Sequence, residues 1–270
     1  MAIERRNWDH AAGVIWPALV EAASNRKTLV YSELSPLIDT NPLSVGRALG
    51  PIQDFCIDHD LPPLTAIVIG KTSRIPGDGF IAWEIDDLPR ALEIVFDQDW
   101  SGISNPYAGF GADVSRASLA KDLLAFPGAG GDVYRFVKDR GIAQRIFRLA
   151  LLEAYDEMCA FCDCSFTQAL ESAHIIPWQV CTPDQRLDPS NGLLLCASHH
   201  RLFDKHVLSV TSDGRIEHYD PEENDGPYSA ADHALTTALH GKSIRIPAKA
   251  ELRPVPGLLR RRRRAAGWKD

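Results

Sequence analysis

The sequence predicts an α+β protein of two domains, and three observations carry that reading. The chain is 270 residues long, more than one ordinary compact domain uses. Its first hundred residues mix helical periodicity with short strand signals. Five of its six cysteines lie between Cys159 and Cys196. The start, Met1 to Asn7, is charged and leads into no apolar leader core, so these thiols favour metal ligation over a disulfide framework. The expected organisation is a mixed helix and strand domain over 1–106, a linker over 107–140, a metal-pinned domain over 141–256 and a basic tail over 257–270.

In the N-terminal part, Val14, Ile15, Ala18, Leu19 and Ala22 recur at helical spacing and predict an amphipathic helix. A second helix is expected from Ser32, where Ser-Glu-Leu-Ser supplies an N-cap and Leu34, Leu37 and Ile38 turn inward. Asn41-Pro42 opens a third, with Asn as cap and Pro at the first helical position, running through Val45, Leu49, Ile52 and Phe55. The apolar run Leu64 to Ile69, the Gly77-Asp-Gly79 turn and a strand over Phe80 to Ile85 then supply a wing. Val30-Tyr-Ser-Glu-Leu34, Ser44-Val-Gly-Arg-Ala-Leu49 and Gly77-Asp-Gly-Phe80 are similar to the winged-helix half of the DNA alkyltransferases. The resemblance implies a DNA-reading, winged-helix-like domain with Ser44 and Arg47 on its third helix. The reactive Pro-Cys-His-Arg of that family falls near Pro63-Leu-Thr-Ala66, which holds neither cysteine nor histidine, so alkyl transfer is not expected. A plain packing or dimerisation domain is the alternative.

Ser101 to Gly141 is rich in glycine and holds Pro106, Pro127 and Gly128-Ala-Gly-Gly131, hence the expected linker. Ile146, Leu149, Leu152 and Ala154 predict a helix that leads directly into Cys159. Val207 to Val210 and Ile216 to Tyr219 flank Thr211-Ser-Asp-Gly214 as a hairpin. No apolar run approaches the roughly 18 to 20 residues of a membrane span, so neither a membrane partner nor export is expected and the expected location is cytoplasmic. The net charge of -7 argues against a protein that coats nucleic acid indiscriminately. The five arginines Arg260 to Arg264 read either as a solvated tail or as an arm that contacts phosphates.

Cys159-Ala-Phe-Cys162 and Cys196-Ala-Ser-His199 are two knuckles with two-residue gaps, the spacing that lets paired side chains face one tetrahedral ion. These four are the candidate ligands of a structural Zn2+. The stretch between the knuckles has room for a strand, a long loop and a second strand. Cys164 and Cys181 are competing thiols, read preferentially as free and buried.

The same segment carries Ala173-His174-Ile-Ile-Pro177 and Asn191-Gly192, then His200 and Asp204. In order and spacing these residues resemble the HNH endonucleases, whose ββα-metal unit cuts phosphodiester bonds, and the resemblance extends over about 141–256. It implies that His174 is the general base, that Asn191 fixes the loop bearing it, and that His200 is the last histidine of the motif. An imidazole titrates near neutral pH, as a base for water must. Asn191-Gly192 equally suits a turn. His200 and Asp204 stand four apart on an expected helix and share one face, where they can hold a catalytic Mg2+ or Mn2+; Asp204 also reads as a surface charge, and His206 is an alternative ligand. His199 is rotated by about 100° from His200, so adjacent histidines can serve two metals. One departure stands out: many members carry a metal ligand where this chain has Ala173. The expected activity is metal-dependent cleavage of DNA in restriction or defence, with a homodimer as one route to cutting both strands. The alternative is a non-catalytic, zinc-containing DNA-binding protein.

Overall fold

The structure, a computed structural model, describes residues 6–126 and 128–268. It divides the chain into two compact units, Met1–Ser118 and Leu119–Asp270. The boundary falls inside the expected linker, and much of that linker is folded. Tyr107 is buried and its hydroxyl donates to the Pro51 carbonyl at 2.7 Å, while helices α5 (Arg116–Ala125) and α6 (Gly130–Val137) occupy the remainder. Glycine richness here serves close approach: a Cβ on Gly131 would collide with the Asp184 carboxylate.

The first unit is built on α1 (Trp8–Ser24) packed against α3 (Val45–Asp58). Asn7 caps α1 by accepting from the amides of Asp9 and His10. The buried side chains Ile15, Trp16 and Leu19 meet Val45, Ala48, Ile52 and Phe55 in the core, with Trp16 edge-on to Phe55 and Trp100. Strand β1 (Leu29–Val30) pairs in parallel with β2 (Val68–Ile69). Helix α2 (Tyr31–Leu34) starts one residue before the expected Ser32, because Glu33 reaches back to accept from the Val30 amide at 2.7 Å. It runs on into a 3-10 turn over Ser35–Ile38, where Leu37 is half exposed instead of inward. Asn41 caps the Pro42–Ser44 turn that opens α3, as its sequence predicts.

The wing does not form. No strand occurs over Phe80 to Ile85; the Phe80 amide closes a turn on the Gly77 carbonyl, and neighbouring backbone groups pair with side chains instead of a ladder. Gln53 donates to the Gly79 carbonyl and accepts from the Ile81 amide, and Tyr31 OH accepts from the Gly77 amide. Phe80 and Trp83 pack beside Ala66, Leu88 and Ala91, the latter two on α4 (Leu88–Asp97). Arg47 is exposed and lies over the Trp8 ring.

In the second unit, α7 (Arg140–Ala154), capped by Asp139, underlies an antiparallel pair. That pair is β3 (Leu170–His174) with β4 (Gly192–Cys196), registered Leu170 to Cys196 and His174 to Gly192. Gly192 is required where β4 crosses α7, since a Cβ there would meet Phe147 Cζ at 2.6 Å and Leu151 Cδ1 at 2.8 Å. Helix α8 (Ala197–Asp204) follows β4 immediately. The expected hairpin is β5 (Leu208–Val210) with β6 (Ile216–His218), turned by Gly214 at φ 82°. A short α9 (Ala230–Leu235) precedes α10 (Pro256–Ala265). The expected tail is therefore a helix, and its arginines divide: Arg262 and Arg263 are buried, Arg260, Arg261 and Arg264 exposed. No helix among the described residues is long and apolar enough to cross a membrane.

Candidate active site and metal centre

The two knuckles converge. The Sγ atoms of Cys159, Cys162 and Cys196 and a ring nitrogen of His199 all lie within 4.8 Å of one another. His199 Nδ1 faces the sulfurs, 3.2 Å from Cys196 and 3.7 Å from Cys159. A tetrahedral ion with N and S ligands spaces its donors by roughly 3.5 Å, so the donor set and its spacing fit a metal. The amides of Phe161 and Cys196 point at Cys159 Sγ from 3.4 and 3.2 Å, as suits a thiolate. A hydrogen bond from the Cys196 thiol holds Cys159 below the usual thiol range. Donating it pushes Cys196 up to about 11, with burial adding to the rise. Metal ligation needs these thiols deprotonated, so an ion bound here would displace their protons.

Cys164 and Cys181 are outside this cluster. Cys181 donates its thiol to the Ile176 carbonyl at 3.0 Å and accepts from Asn191. Arg245, from the segment after β6, donates to the carbonyls of Cys159 and Cys162 and so ties the first knuckle to the C-terminal part of the unit.

His174 ends β3 in an aromatic slot. Its ring stacks on Phe147 with centroids 4.3 Å apart and meets Trp178 edge-on at 5.7 Å. Nε2 lies 2.8 Å from the Arg186 carbonyl; a carbonyl only accepts, so Nε2 carries the proton and Nδ1 keeps the lone pair. Burial is the main cause that lowers its pKa below the usual histidine value, with the nearby charges of His200 and Arg140 acting the same way.

Asn191 is fully buried. Its Oδ1 accepts from the Ile176 amide at 2.9 Å, and Nδ2 donates to the Gln185 carbonyl at 3.0 Å. One amide therefore closes the loop that runs from His174 round to Arg186, whose carbonyl holds the His174 ring. The same residue also ends a 3-10 turn over Pro189–Asn191.

His200 and Asp204 share one face of α8, with Nε2 to Oδ2 at 3.3 Å. An octahedral ion with bonds of about 2.1 Å spaces adjacent ligands by ~3 Å, which this pair fits. The other ring nitrogen meets Glu171 Oε2 at 2.6 Å. Hydrogen bonding to Asp204, assisted by Glu171, raises the His200 pKa, and its partner Asp204 is lowered chiefly by the same bond. Ala173 is fully buried and its methyl side chain offers no ligand atom. His206 lies beyond the end of α8 in the left-handed region, at φ 59°.

Four further residues stand near these groups; Glu171, Arg140 and Arg186 carry no signal in sequence order, and Arg262 reads only as one of the arginine run. Glu171 stands two places before Ala173, where the motif's missing ligand is sought. Arg140 and Arg186 lie over the Trp178 ring, and Arg262 reaches in from α10.

No curated protein and no solved structure matches the chain. The model of the HNH endonuclease family matches residues 159–211, a span that holds both knuckles, the His174 strand, the Asn191 loop and α8, so this segment is similar to HNH endonucleases, a likeness that supports a nuclease or nucleic-acid-binding role.

Proposed function

We propose that the second unit hydrolyses DNA phosphodiester bonds with His174 as general base. The observation that carries this is the hydrogen bond from Nε2 to the Arg186 carbonyl, which leaves Nδ1 free to take a proton from water. Burial keeps the ring neutral and therefore competent. Phe147 and Trp178 limit its rotation, and Asn191 holds the loop that orients it.

His200, through Nε2, and Asp204 would hold the catalytic Mg2+ or Mn2+, with Glu171 orienting the His200 ring from Nδ1. When bound, such an ion supplies charge neutralisation at the scissile phosphate. Cys159, Cys162, Cys196 and His199 would hold a structural Zn2+, keeping the start of α8 fixed to the β3–β4 pair. Arg140, Arg186 and the exposed arginines of α10 are suited to phosphate contact. The N-terminal unit is the DNA reader in this account, and the biological setting is restriction or defence against foreign or modified DNA. One centre cuts one strand, so a double-strand break takes two copies of the chain or two visits.

The test is incubation of supercoiled plasmid with the full chain and Mg2+ or Mn2+. Nicking is expected, and His174→Ala should lower its rate by at least ~10²-fold. Cutting that persists unchanged in His174→Ala would remove the assigned base. Metal-retaining protein that binds DNA without cutting it would favour the alternative of a zinc-containing DNA-binding module.

A further inference from the structure

The buried arginine of α10 touches both halves of the reaction centre. Arg262 is 7% exposed, and its guanidinium lies 3.7 Å over the Phe203 ring. Nη1 donates to the carbonyls of His174 and Ile175, at 3.2 and 3.1 Å. Nη2 donates to the Phe203 carbonyl at 2.8 Å and to Asp204 Oδ1 at 3.4 Å. One planar group thus bonds the end of the strand that carries His174 and the last turn of the helix that carries His200 and Asp204. In that last turn the helix carbonyls run out of donors further along the chain, and a cation is favoured there.

We propose that Arg262 is a positioning residue for the nuclease reaction, setting the separation between His174 and the His200–Asp204 pair; this rests on the nuclease reading above. The guanidinium suits the task because its donors diverge in a fixed plane, two toward the strand and two toward the helix. It holds Asp204 by Oδ1, leaving Oδ2 turned to His200. A lysine offers one ammonium on a flexible stem and cannot span both carbonyl sets at fixed geometry. The neighbour Arg263 is equally buried but bonds Ser209 and Glu217 on the β5–β6 hairpin, so it provides a control for burial of charge on the same helix.

The experiment compares Arg262→Lys and Arg263→Lys in the full, zinc-loaded chain. Both should lower the melting temperature. Only Arg262→Lys should slow plasmid cleavage at saturating Mn2+ by ~10-fold or more, since a misplacement of about 1 Å can cost 10²-fold. It should also raise the Mn2+ concentration needed for half-maximal rate while leaving KM for DNA unchanged. Wild-type cleavage rate and Mn2+ dependence in Arg262→Lys, or equal slowing in both variants, would overturn the proposal. Amide hydrogen exchange supplies a readout independent of cutting. The Ile176 and Lys205 amides should exchange faster in Arg262→Lys and not in Arg263→Lys. If the wild-type protein cuts no DNA, the nuclease reading fails by itself and exchange decides for Arg262: unchanged protection at both amides discards it.

Discussion

At the scale of single residues, environment separates the histidines into different jobs. His174 is held neutral mainly by burial, with its protonated nitrogen facing a carbonyl. His200 stands between two carboxylates that favour its charged form, and His199 turns Nδ1 toward thiols. A pH profile follows for His174. Its folded pKa lies below the usual value of about 6.5, so the neutral ring required of the proposed base is fully present above that value. It is lost as pH falls through the lowered folded pKa, and the ring's contribution to stability disappears over the same window. At saturating Mn2+, the acid limb of the cleavage rate should therefore have its midpoint below pH 6.5. A midpoint at 7 or above would show that another group limits the reaction.

At the scale of elements, what could be read from the sequence was whatever chemistry ties to fixed local spacing. Asn41-Pro42 gave the entry to α3 because a cap and a preset φ act within one turn. The knuckles were readable because ligation of one ion favours paired Cys or His separated by a two-residue gap. The wing was not, because its backbone partners are Gln53 and Tyr31, side chains from distant elements whose reach no local pattern encodes. The role of Glu171 and the inward turn of Arg262 within its arginine run have no sequence signal for the same reason: each meets α8 only through tertiary packing. The knuckles also permit a test among the thiols. Cys159→Ser and Cys196→Ser should each lose the bound zinc equivalent and lower the melting temperature. Cys164→Ser and Cys181→Ser should retain it, because neither sulfur is in the four-ligand cluster. Metal content by mass spectrometry of the native protein reads this directly, and zinc loss in Cys164→Ser would redraw the ligand set.

At the scale of the whole molecule, charge distribution matters more than the total. A net charge of -7 opposes a polyanion at long range, so the proposed contact with DNA would depend on local cationic surface. The run Arg260 to Arg264 supplies it only in part, since folding as a helix turns Arg262 and Arg263 inward and leaves Arg260 and Arg261 exposed. Composition alone counts five equivalent arginines; the helix makes two of them structural. Each phosphate contact on duplex DNA adds about 0.9 to the slope of log affinity against log salt. In a His174→Ala background, which separates binding from cutting, Arg260→Ala with Arg261→Ala should reduce that slope by about 1 to 2 and weaken binding most at low salt. Melting temperature should hardly change, because both side chains are solvent-facing. A slope equal to that of the parent would mean that these arginines are simply the hydrated outer face of α10, and that the phosphate contacts come from Arg140, Arg186 or the N-terminal unit.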